Sequence, residues 1–157
     1  MYFEHLVEIN DLDNPEVPDL SREQVWFGLL CRIEDPRPFL PGLERCEILT
    51  RSDCALTRRL EFGQVVVFDA VRWAPMAWVC FESAASADHP AGRLTIRLEQ
   101  PDPARAALFL RFTYRTGLGE GEDADAPYAD YVRSAYHQSD LDTVRVIRQI
   151  AQAEPRD

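Results

Sequence analysis

The sequence predicts an α+β fold: a seven-stranded curved antiparallel sheet wrapped around a long C-terminal helix, with one or two short helices between the first and second strands. Three observations carry this expectation. Apolar and polar residues alternate in short segments separated by turn residues. A helical stripe with its own start signal interrupts them after the first segment. Residues 128–153 then run without proline or glycine, as one long helix would. The 157 residues fit a single domain, 1–157.

In residues 1–10, Phe3, His5, Val7 and Ile9 share one face, and Tyr2, Glu4, Leu6 and Glu8 the other, so the first element is a strand. Residues 11–19 are acidic and hold Pro15 and Pro18, hence a loop. Ser21 reads as an N-cap, and Gln24 completes a capping box. Val25, Trp26, Leu29, Leu30 and Ile33 form the stripe that follows. It ends at Asp35, because a residue before proline disfavours the α region. The stretch "RIEDPRPFLPGLERCEI" places Pro36, Pro38 and Pro41 ahead of the second strand. Such stiffness suits a fixed wall across the mouth of the sheet, with Phe39, Leu40 and Leu43 closing one end of the interior. Further strands are expected at 46–52, 56–62, 65–73, 76–83, 93–100 and 107–114. Their short connections argue for an antiparallel meander and against parallel βαβ units. Residues 116–127 are glycine-rich and acidic, so they read as a loop. Asp125 can cap the last helix, with Pro127 in its first turn.

Composition excludes several function classes. A net charge of -10 argues against nucleic acid or an anionic membrane as partner. All 17 basic residues are arginine, which removes lysine Schiff-base chemistry and a phosphate-loop lysine. Three histidines and the separated Cys31, Cys46, Cys54 and Cys80 show no ligand spacing, so neither metal nor cofactor is expected. The first residues are charged where a leader would be apolar, and no run approaches the roughly 20 apolar residues of a membrane span. A cytoplasmic protein with reduced thiols and no integral membrane association is expected. "GLGEG" at 117–121 is acidic and out of the strand-to-helix order that a nucleotide-binding loop needs.

The chemistry-bearing residues cluster on apolar faces. If Gly63-Gln64 is a two-residue hairpin turn, Phe62 opposes Val65, Leu60 opposes Val67, Arg58 opposes Asp69 and Leu56 opposes Val71. Arg58 and Asp69 then meet on an otherwise apolar face, either as a structural ion pair at the sheet rim or as a polar anchor for a ligand. Glu82 joins Arg58 if its face is the inner one, and Cys80 would lie near the interior with it. His5 is either a hydrogen-bonded core residue or a ligand contact with an acid/base role. Tyr136, Asp140 and Thr143 fall at i, i+4 and i+7, giving a polar stripe if that side faces the sheet; otherwise Asp140 is solvated. Alternation turns Tyr114 inward and Arg111 outward.

The stretch "DPRPFLPGLERCEI" resembles the segment that leads into the second strand in the START, birch-pollen-allergen and polyketide-cyclase (SRPBCC) superfamily, which has the helix-grip fold. "MYFEHLVEIN", "LTRRLEFG", "FLRFTYRTG" and "YVRSAYHQSDLDTVRVIRQI" resemble an AtaL-like branch of uncharacterised function. The resemblance covers essentially the whole chain. It implies a cavity between sheet and last helix that takes an apolar or aromatic small molecule. It implies no single reaction, because the superfamily includes carriers, sensors, cyclases and co-chaperones. The expected function is therefore binding of a hydrophobic or aromatic small molecule. The alternatives are a polyketide cyclase-, aromatase- or dehydratase-like enzyme using the same cavity, and a protein-interaction module; a homodimer is left open. The candidate cavity residues are His5, Phe39, Arg58, Leu60, Asp69, Tyr114, Tyr136, Asp140 and Thr143.

Overall fold

The computed structural model describes residues 1–86, 90–117 and 126–153, the side chains of 126–128 excepted. Expectations for Asp125 and most of the 116–127 loop lie outside the described residues. The elements are β1 (Tyr2–Glu8), α1 (Arg22–Glu34), β2 (Arg45–Ser52), β3 (Ala55–Phe62), β4 (Val65–Ala74), β5 (Trp78–Ser83), β6 (Gly92–Glu99), β7 (Phe109–Thr116) and α2 (Ala126–Ala153). The strands form one curved seven-stranded antiparallel sheet in the order β1-β7-β6-β5-β4-β3-β2. Consecutive hairpins build all of it except the β1–β7 pair, which joins the two ends of the strand sequence. β1 and β2 lie at opposite edges, so α1 carries the chain across the sheet.

The start of α1 follows the local chemistry. Gln24 N–H donates to Ser21 Oγ (3.1 Å), and Ser21 N–H donates to Gln24 Oε1 (2.8 Å). The helix stops at Glu34 before Pro36. No second helix follows in this crossover. Residues 36–43 instead make successive turns, with the Phe39 and Leu40 N–H groups donating to Pro36 O and Gly42 at φ 87°. Met76, expected to open the fourth of the later strands, lies in a turn at φ 64°, and β5 begins at Trp78. Pro75 has no N–H to give the ladder, so pairing cannot run through it.

The inner face of the sheet packs on both helices. Val25, Leu29 and Ile33 of α1 and Ile147 of α2 join Leu56, Val71, Val79, Ile96, Leu110 and Phe112 in the core. The helices come close at Gly28, where an added Cβ would lie 2.7 Å from Ile147 Cγ1. Buried Asn10 ties the first loop down, accepting from Leu20 N–H (2.8 Å) and donating to Leu20 O and Ala106 O. No described helix is long and apolar enough to cross a membrane.

Candidate functional site

The β3–β4 hairpin has the register that its turn residues predict. Gly63 takes φ 62°, which a glycine adopts without strain. Arg58 faces Asp69, flanked by the Leu60–Val67 and Leu56–Val71 pairs. Arg58 Nε donates to Asp69 Oδ1 (2.9 Å) and Nη2 to Oδ2 (2.5 Å), a bidentate pair. Nη1 donates to the carbonyls of Arg32 (3.1 Å) and Ile33 (3.0 Å). Four of the guanidinium's five N–H groups are thus used within the protein. The last carbonyls of a helix lack intrahelical donors, so Arg58 also closes the C-terminal end of α1. Glu82 does not join this pair. It lies on the other face of the sheet with Arg72 and Arg93, and buried Cys80 lies there too, accepting from Thr95. The β5 alternation explains both: Val79 and Phe81 take the inner face, leaving Trp78, Cys80 and Glu82 outside.

A second arginine lies beside the first. Arg32, in the last turn of α1, is 5% exposed and forms no ion pair among the described residues. Its Nε has no hydrogen-bond partner. Its guanidinium lies 4.6 Å from the centre of the Phe81 ring, and that of Arg58 lies 5.2 Å from the same ring. Burial pushes the Arg32 guanidinium down to about 10, helped by the charge of Arg58 and opposed by Tyr114, Asp140 and Asp69.

The third group links sheet to helix. Tyr114 donates to Asp140 Oδ1, and His5 Nδ1–H donates to Asp140 Oδ2 (3.0 Å). Asp140 is 1% exposed and not solvated. Burial pushes its carboxyl above its ordinary value despite these two donors. Burial and the Asp140 charge push the Tyr114 hydroxyl far above the usual phenol range, so it stays protonated. The Tyr114 and Tyr136 rings stack at 4.0 Å and 5°, and His5 stacks on His137 at 3.8 Å.

These groups border a cavity of about 340 Å³ between the sheet and α2. Its apolar lining includes Leu40, Leu60, Val67, Phe81 and Leu94; its polar lining includes Arg32, Arg58, Asp69, Tyr114 and Tyr136, with Ser83, Arg93 and Thr116 also bordering it. Five of the expected candidates, Arg58, Leu60, Asp69, Tyr114 and Tyr136, therefore meet in one place. Phe39 does not line it: the ring is buried in the core at 1% exposure, and Leu40 takes the lining position. His5, Asp140 and Thr143 do not line it either. His5 and Asp140 stand behind Tyr114, and Thr143 is buried with its hydroxyl unpartnered. Arg32 was missed. Its signal was a cation three positions after Leu29 and seven after Val25, on the buried stripe of α1. Among the described residues, no group of three His, Cys, Asp or Glu is arranged to hold a metal ion.

A curved antiparallel sheet gripping a C-terminal helix, with a cavity between them, is the helix-grip architecture of the SRPBCC superfamily. Within it, the chain belongs to the family described as acetylaranotin biosynthesis cluster protein L (AtaL), which it matches over residues 7–154. No curated protein sequence matches the chain. Among solved structures, it is similar to the Zhui aromatase/cyclase from Streptomyces sp. R1128. The TM-score is 0.65 at 16% identity, over 97% of this chain and 93% of that one. It is similar to the di-domain aromatase/cyclase StfQ of the steffimycin biosynthetic pathway (TM-score 0.69, 12% identity, 96% of this chain and 50% of that one). It is also similar to human STARD10 (TM-score 0.64, 9% identity, 93% of this chain and 62% of that one). Identities this low establish a shared fold and no shared activity.

Proposed function

We propose that the protein binds a hydrophobic or aromatic small molecule in the cavity between the sheet and α2. The observation that carries this reading is the cavity itself: about 340 Å³, largely apolar, with a few polar groups in its wall. The stacked Tyr114 and Tyr136 rings offer a flat wall to a planar ligand. Native mass spectrometry of protein purified from its own host tests the proposal. A bound small molecule, released on denaturation, is expected. Bare protein throughout, together with no melting shift across a panel of planar aromatic compounds, would overturn it.

One arrangement favours a second reading, a polyketide cyclase-, aromatase- or dehydratase-like enzyme. Tyr114 lines the cavity and is joined through Asp140 to His5. In such a chain the phenolic proton is donated to Asp140, which leaves the Tyr114 oxygen to accept from an enol or hydroxyl of the ligand. The Zhui and StfQ proteins carry aromatase/cyclase in their names. A copurified molecule that keeps its mass on prolonged incubation supports binding alone; loss of the mass of water supports the enzyme.

A further inference from the structure

We infer that the ligand is a flat apolar body bearing one oxyanion, a carboxylate or an acidic enolate or phenolate, which pairs with Arg32 at the α1 side of the cavity. The inference rests on the cavity-binding reading above. Arg32 lines the cavity at 5% exposure, and its Nε–H is left without an acceptor. A buried cation without a counter-charge is costly, and proteins ordinarily supply an acid or move the charge to water.

Neither remedy is present here. Asp69, the acid that lines the cavity, is held bidentate by Arg58. Asp140 is occupied by Tyr114 and His5. The remaining local relief is the face of Phe81. A carboxylate entering the cavity would satisfy Nε and one Nη together, in the fork geometry that arginine presents. A neutral ligand could offer Nε–H a carbonyl oxygen but no counter-charge. Arg93 also borders the cavity, but its side chain is half-exposed and paired with Glu82, so Arg32 is the buried cation left for an anion. Leu60, Val67, Leu94 and the stacked tyrosines suit a planar apolar body.

The test uses two probes of one shape, 2-naphthoate and naphthalene-2-carboxamide, titrated into the whole chain by calorimetry. The acid is expected to bind about tenfold or more tightly than the amide, from its charge-assisted pair. Arg32→Met should remove that advantage, leaving amide affinity within about twofold, well under one decade of binding constant. Equal affinities for the two probes, or an acid affinity indifferent to Arg32→Met, would overturn the inference while leaving the cavity reading intact. Binding of neither probe would overturn both. Should Arg32→Met not fold, the Arg32 Nε–H resonance of the unaltered protein decides. It should move farther downfield with the acid than with the amide; no difference between the two overturns the inference.

Discussion

Two buried arginines share one wall of the cavity and one aromatic ring, yet they sit in opposite electrostatic circumstances. Arg58 is saturated by Asp69 across the hairpin and by the last carbonyls of α1. Arg32, whose carbonyl accepts one of those bonds, keeps its own Nε–H unpaired. The same side chain is thus structural in one place and available in the other. What decides is whether the fold brings an acid to it, since burial alone is common to both.

The sharpest way to break this comparison is Arg58→Met. It leaves Asp69 buried without its partner and removes the donor to two helix-end carbonyls. A loss of about 3–5 kcal/mol is expected in chemical denaturation. Replacing both partners, Arg58→Met with Asp69→Leu, should recover most of that loss, because a well-packed apolar pair can substitute for a buried ion pair. A double variant as unstable as the single one would break the account of the pair. Arg32→Met should go the other way, raising stability by roughly 1 kcal/mol as an unpaired buried charge is removed. A loss as large as that of Arg58→Met would mean that Arg32 is structural too.

The smallest effect concerns pH. The folded-state carboxyl of Asp140 lies above its ordinary 3.8, because burial outweighs the bonds from Tyr114 and His5. The folded protein therefore holds this proton more tightly than the unfolded chain does. This contribution to stability is fully present below 3.8 and is lost as pH rises through the raised folded value. Asp140→Asn should remove that slope from the stability–pH curve; the opposite slope difference would contradict the assignment.

The Arg58–Asp69 pair was legible in the sequence because a two-residue turn fixes register, and register fixes which side chains meet. Tyr114 and the outward Arg111 were legible from alternation alone. Phe39 and Leu40 were not separable, since a proline-rich turn has no period to say which side chain points inward. The spacing put Asp140 and Thr143 on one side of the helix with Tyr136 but left open which way that side faces. Their position away from the cavity depends on how α2 lies across the sheet, and the i, i+4, i+7 spacing does not encode that. Arg32 escaped for a related reason. Its contacts, Phe81 and the cavity, belong to distant parts of the chain, and a long cation on an apolar stripe reads equally well as one that reaches solvent.

The most direct test of the cavity's role is a titration of the unaltered protein with 2-naphthoate, followed by the methyl resonances of leucine and valine. Leu60, Val67 and Leu94 line the cavity, whereas Leu49 and Leu141 are exposed. The cavity methyls should shift with saturation while those of Leu49 and Leu141 stay in place. Shifts confined to the exposed leucines, or none at all, would contradict the account.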